Sequence, residues 1–191
     1  MITIARAYGS GGNDVAHAVA EKLGWPCYDR QLIDLTARRM GYSPEVVERS
    51  EQNIPTSRLW ELVMEDSGIP SSMNPSRDDA IFVSQSRTIR ELAHEGDCVI
   101  VGRLANWTLR DHPHALRVFI TSSRDSATKR VAQRLGVSEE EAARKQARVN
   151  TGRANHCRRY TGQPWTSPDS YDLMLNTDRL GIDETAALIA Q

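Results

Sequence analysis

Cysteine is scarce in this 191-residue chain: Cys27, Cys98 and Cys157 stand far apart, and no CxxC pair occurs. That excludes a disulfide framework and a thiolate zinc site, and it suits a reducing, cytoplasmic setting. The five histidines show no metal-ligand spacing beyond His112-Pro113-His114, which reads as a loop. There is no long apolar run and no signal peptide, so neither a membrane span nor export is expected. Net charge is missing too. The balance of 24 basic against 25 acidic residues leaves −1, so no global field draws the protein onto nucleic acid or a membrane. No Ser/His/Asp or Cys/His arrangement for a covalent nucleophile stands out. No repeat or linker divides the chain. With 39% hydrophobic and 26% charged residues, 1–191 reads as one ordinary globular domain.

What is present begins at the N-terminus. Ile2-Thr3-Ile4 alternates as a strand, Gly9-Ser10-Gly11-Gly12 follows as a turn, and Val15, Ala16, Val19, Ala20 and Leu23 form one helical stripe. Backbone amides gathered at such a turn, with a helix N-terminus behind them, suit a phosphate. A full phosphate loop reads GxxxxGK[ST]. Here Gly12 takes the lysine place, followed by Asn13 and Asp14. The turn alone therefore supports two readings, a phosphate site or a plain strand-to-helix connection.

Further strands are expected at Trp25–Asp29, Cys98–Val101, Leu116–Ile120 and Tyr171–Asn176, each separated by helical patterns. Cys98-Val99-Ile100-Val101 is apolar on both sides, as a strand covered on both faces must be. Helices are read over Leu32–Met40, from Ser43-Pro44, over Ile81–His94 and Asp125–Leu135, from Ser138 with its capping box to Glu141, and from a cap at Asp183 to the end. Residues 66–79, rich in Ser, Pro, Gly, Asn and Asp, read as a mobile loop. Five strands alternating with helices predict an α/β fold with a mainly parallel sheet. Ligands sit at the carboxyl ends of such strands, where Gly9–Gly12, Asp29 and Gly102-Arg103 converge.

Six basic residues, Arg144, Lys145, Arg148, Arg153, Arg158 and Arg159, run without an acid before the last strand. Helix electrostatics accounts for Arg144, Lys145 and Arg148 as a solvated face. It accounts less well for the other three, which lie past an expected helix break at Asn150-Thr151-Gly152. Planar guanidinium groups beside a phosphate crevice can each contact two oxygens of a moving phosphoryl group. Nucleic-acid binding is the rival use. With Tyr160 as the tract's single aromatic and a slightly acidic protein, it is disfavoured. Asp29 is equally readable as a cap for the next helix. Arg103, a charge at a buried strand end, needs a partner.

The order of Tyr8-Gly9-Ser10-Gly11-Gly12, Tyr28-Asp29-Arg30-Gln31-Leu32-Ile33, Cys98-Val99-Ile100-Val101-Gly102-Arg103, Val118-Phe119-Ile120, Arg153-Ala154, Tyr160-Thr161-Gly162 before Trp165, and Tyr171-Asp172-Leu173 resembles the P-loop nucleoside monophosphate kinases. The nearest likeness is to the cytidylate kinase-like family, almost end to end. That resemblance implies a three-layer α/β/α fold on a five-stranded parallel sheet, a helical acceptor-binding insertion at about 32–94, and an arginine-rich lid at about 144–165. It implies transfer of the γ-phosphate of ATP, with Mg2+, to a nucleoside monophosphate, CMP or dCMP first. Arg6, Gly9, Ser10, Gly11, Gly12, Asn13 and Asp14 would serve the ATP phosphates, with Arg6 a candidate to replace the lysine. Asp29, Arg30 and Arg103 would hold the acceptor, and Arg103, Arg153 and Arg158 would act on the transferred group. The resemblance leaves room for a homodimer. The missing lysine, and Leu104 where authentic cytidylate kinases have aspartate, keep a second reading open: a nucleotide-binding module without turnover. A kinase of another small acceptor is a third.

Overall fold

The computed structural model describes residues 1–52 and 77–191. Trp60, most of the expected 66–79 loop and the middle of the expected insertion lie outside them.

The strands are β1 (Ile2–Arg6), β2 (Cys27–Tyr28), β3 (Val99–Val101), β4 (Leu116–Thr121) and β5 (Leu173–Asn176). They form one parallel sheet in the order β2-β3-β1-β4-β5. Strand β1 lies at its centre, with Ile4 opposite Val101 on one side and Val118 on the other. Between the strands run α1 (Gly12–Leu23), α2 (Gln31–Met40), α3 (Pro44–Gln52), α4 (Arg77–Glu95), α5 (Ala105–Thr108), α6 (Arg124–Leu135) and α7 (Glu139–Thr161), and α8 (Thr177–Ile189) follows β5. A 3-10 turn over Pro168–Ser170 leads into β5.

Both faces of the sheet are covered, which is why its strands read as unbroken apolar runs. On one face Ile2, Ile4, Val99, Val101, Val118 and Ile120 pack with Val15, Val19 and Ala20 of α1 and Ala186 and Ile189 of α8. On the other, Ile100 packs with Leu32 of α2, Ile89 and Leu92 of α4, and Ala105 beside Leu109. The expected face of α4 is right, since Ile81, Gln85, Ile89 and Leu92 are all buried. Cys98 and Cys157 are small buried residues, and Cys27 is half-buried.

Several expectations need correction. The 66–79 loop does not extend through 77–79, which already belong to α4 with two aspartates in its first turn. No break occurs at Asn150-Thr151-Gly152: α7 runs unbroken to Thr161 and buries Gly152. Local propensity loses to packing there. Asp183 does not cap α8. Asn176 does so through its side chain, and Asp183 follows a kink at Gly181. No helix among the described residues is long and apolar enough to cross a membrane.

Candidate active site

At the carboxyl ends of β1, β2 and β3 two adjoining cavities share a wall. The larger, about 490 Å³, is lined by Asp29 and Arg30 after β2, by Gly102, Arg103 and Leu104 after β3, and by the inner face of α7. The smaller, about 310 Å³, is lined by Gly9, Gly11, Gly12, Asn13 and Asp14 of the turn, with Arg130 and Arg134 of α6. Arg6, Tyr8, Asn13 and Arg153 border both. Any group handed from one cavity to the other passes these four residues.

Arg6, at the end of β1, runs half-buried along the floor. Its Nε donates to Asn13 Oδ1 at 3.0 Å, and its Nη2 reaches Asp29 Oδ1 at 3.5 Å. Asn13 Nδ2 donates to Asp29 Oδ2 at 2.6 Å, closing a triangle. Asp29 is thereby spent on Arg6 and Asn13 and does not cap α2, whose N-cap is Arg30 without a side-chain bond. Two glycines make room for Arg6. A Cβ at Gly12 would collide with its Cβ and Cγ, and one at Gly102 would collide with its guanidinium. Gly12 is thus no vacant lysine position; the stem of Arg6 occupies the space.

Arg103 follows Gly102 in a turn where three successive residues have positive φ, 73°, 59° and 51° at Gly102, Arg103 and Leu104. Left-handed backbone at two non-glycine residues is strained, and such strain gathers at functional sites. Burial, reinforced by Arg6, pushes the Arg103 guanidinium down to about 10. Burial, with Arg6 and Arg103 adding to it, pushes Arg153 down to about 9. Arg103 and Arg153 stay charged at neutral pH; burial pushes Arg6 down as well, against the pull of Asp29. They form a desolvated cationic cluster opposed by Asp29 and, more weakly, Glu48. Arg30, Lys145 and Arg148 add charge at the lining of the larger cavity.

Helix α7 grips the turn from its inner face. Asn150 Oδ1 accepts from the Tyr8 amide at 2.8 Å, Gln146 Nε2 donates to the Tyr8 carbonyl at 3.4 Å, and Arg153 Nη1 donates to the Arg6 carbonyl at 2.7 Å. Residues 146, 150 and 153 share one helical face, so α7 and the turn are held as one piece. The Tyr8 ring sits near two guanidinium groups, Arg134 at 5.2 Å and Arg153 at 5.8 Å.

Of the residues singled out in the sequence, Arg6, Gly9, Gly11, Gly12, Asn13, Asp14, Asp29, Arg30, Arg103 and Arg153 line this crevice. Ser10 and Arg158 do not. Ser10 is buried beneath the turn, its carbonyl accepting from Thr177 Oγ1 at 2.8 Å. Arg158 is exposed. It lies five residues beyond Arg153 on an unbroken helix, a rotation that leaves it roughly 140° away from the inner face. Of the three residues expected on a solvated face, Arg144 and Arg148 are exposed, Arg144 pairing with Glu140 at 2.5 Å, whereas Lys145 is half-buried; Lys145 and Arg148 also line the larger cavity. Arg159 is tied to Asp79 at 3.0 Å.

Sequence reasoning missed Tyr8, Gln146, Arg130, Arg134 and His156. The spacing of 145, 149, 153 and 156 on one helix was the available signal, hidden by the expected break. Burial, with help from Arg103 and Arg159, pushes the His156 imidazole down to about 4. The ring is neutral when folded, whereas the unfolded chain takes up its proton near the ordinary value of about 6.5. This contribution to stability is complete above that value and fades as pH falls toward 4. Between pH 7.5 and 5 the wild type should lose about 2 kcal/mol more than His156→Phe. Chemical denaturation at both pH values checks this; equal losses would reject it.

Residues 1–179 match the model of the cytidylate kinase-like family. The chain belongs to that family. A cytidylate kinase of Thermococcus kodakarensis is 35% identical over 191 residues, covering 99% of this chain and 85% of that one. Another, of Methanopyrus kandleri, is 29% identical over 201 residues, covering 99% and 90%. The structure is similar to that of an uncharacterized protein from Eubacterium ventriosum, with a TM-score of 0.72, 27% identity, and coverage of 98% and 94%. A shikimate kinase of Bacteroides thetaiotaomicron, TM-score 0.55 at 16% identity over 98% and 94% of the two chains, shares the fold alone. Family and fold together support a kinase-like phosphotransferase built on an α/β sheet.

Proposed function

We propose that this family member transfers the γ-phosphate of ATP to a nucleoside monophosphate, with CMP and dCMP the first acceptors to try. The shared wall carries this reading. A donor in the glycine-lined cavity and an acceptor in the larger one would meet at Arg6, Asn13, Tyr8 and Arg153. Phosphoryl transfer needs positioning and positive charge around the moving group rather than covalent help from the protein. Two half-buried guanidinium groups at the crossing, Arg6 and Arg153, supply that charge.

In the smaller cavity no side chain caps the first turn of α1, so its amides are available to a donor phosphate. Arg130 and Arg134 flank it. Arg103 borders the larger cavity alone and is assigned the acceptor phosphate, with Arg30, Lys145 and Arg148 around it. Asp14 is the one carboxylate lining the smaller cavity among the described residues. Mg2+ is held by one or two carboxylates together with phosphate oxygens, so Asp14 fits it. When bound, the ion would neutralise charge on the β- and γ-oxygens.

An ADP-release assay with Mg-ATP and CMP, dCMP, UMP, AMP or GMP tests the proposal. At least one acceptor should raise release at least tenfold over acceptor-free hydrolysis. Tight ATP binding in calorimetry with no acceptor-dependent release would instead make the chain a nucleotide-binding module.

A further inference from the structure

Three residues after Arg153, on the same inner face of α7, His156 lines the larger cavity. It is 8% exposed, and neither ring nitrogen has a hydrogen-bond partner among the described residues. Its surroundings fix the ring without satisfying it. Phe82 meets it edge-on at 6.1 Å and Tyr160 at 4.9 Å. Those two rings stack on each other at 4.0 Å, and the Tyr160 hydroxyl donates to Asp79 Oδ1 at 3.0 Å. Buried polar atoms in native proteins nearly always have partners, and an exception at a cavity wall points to a bound group that supplies one.

We propose that His156 hydrogen-bonds the uncharged, nucleoside part of the bound acceptor and so helps to select it. This rests on the kinase reading above. Burial and the charges of Arg103 and Arg159 keep the ring neutral. A neutral imidazole offers one donor and one acceptor and no charge. That suits a sugar hydroxyl or a base amide or amino group. It does not suit a dianionic phosphate, for which Arg6, Arg103 and Arg153 stand ready in the same cavity. Leu104, Val149 and Trp165 give that cavity the less polar wall a base requires. Either tautomer of the ring is open to it, so His156 can answer a keto or an amino group.

His156→Phe keeps the aromatic packing and removes both nitrogens; His156→Gln keeps one donor and one acceptor on a flexible stem. Thermal melting first establishes that each variant folds. With the acceptor the wild type uses, His156→Phe should raise the acceptor KM at least tenfold. The ATP KM and the inhibition constant of inorganic phosphate should stay within twofold, and His156→Gln should recover part of the loss. An unchanged acceptor KM in His156→Phe, or in His156→Gln if the first fails to fold together with no effect on acceptor choice, overturns the inference. So does an equal weakening of phosphate inhibition, which would assign His156 to the phosphate. A wild type that releases no ADP with any monophosphate rejects the kinase reading alone. In that event, calorimetric CMP binding lost in His156→Phe still supports the contact, and equal binding by both proteins, or by neither, overturns it.

Discussion

Gly12→Lys, which restores the residue a full phosphate loop carries, should abolish turnover rather than improve it. The reason is steric. Any Cβ at position 12 meets the Cβ and Cγ of Arg6 and comes within 3.2 Å of Ile120 Cβ. These neighbours belong to the central strands β1 and β4 and cannot retreat cheaply. Overpacking of this kind costs about 1–3 kcal/mol, or roughly 5 °C of melting temperature for a chain this size. Displacing Arg6 would also disturb its bonds to Asn13 and Asp29. If Arg6 supplies the positive charge otherwise brought by lysine, losing it costs about 3–4 kcal/mol of barrier, a hundredfold or more in rate. The double variant Arg6→Gly/Gly12→Lys separates the two effects. Removing the arginine Cβ and everything beyond it relieves both contacts, so the double variant should be both more stable and more active than Gly12→Lys alone. Steady-state kinetics and thermal melting of the four proteins complete the cycle. A rise in activity for Gly12→Lys by itself would show that no other cation fills that role.

The same pair of residues shows what a sequence can and cannot disclose. The alternation of apolar runs placed all five strands, because a parallel sheet buried on both faces leaves a strong local signal at Val99–Val101 and Val118–Ile120. The crevice was legible for a similar reason: its residues sit at strand ends, where ligands bind in sheets of this kind. What stayed hidden was tertiary. Nothing local says that Arg6 lies between two glycines 90 residues apart in sequence, or that Asn13 and Asp29 are tied together. The Asn-Thr-Gly stretch reads as a helix stop by propensity. In the fold Asn150 spends its side chain on the Tyr8 amide and Gly152 is buried, so the helix continues. That one misplaced break accounts for the expectation that Arg158 faces the crevice and hides the shared helical face of Val149, Arg153 and His156.

Arg153 and Arg103 are both half-buried arginines at the crevice, yet their removal should have different kinetic signatures. Arg153 borders both cavities; Arg103 borders the larger one alone. A cation at the crossing acts mainly on charge that develops during transfer, so its loss should appear in kcat. Arg153→Met, which keeps much of the apolar stem, should lower kcat by roughly a hundredfold to a thousandfold, with both KM values changed less than about threefold. Arg103→Met should raise the acceptor KM at least tenfold while leaving the ATP KM within twofold. Its lost contact is made to the acceptor phosphate before transfer as well as during it, and charge-assisted bonds of this type contribute about 1.5–3 kcal/mol. Part of the Arg153 effect could come through the turn, because its Nη1 holds the Arg6 carbonyl at 2.7 Å. Arg153→Lys addresses that possibility. Lysine preserves the charge but not the fork geometry, so it should recover some kcat if charge at the crossing is what matters. If Arg153→Met instead raises the acceptor KM alone, in the manner of Arg103→Met, then Arg153 belongs to the acceptor site and the shared wall is not where transfer occurs.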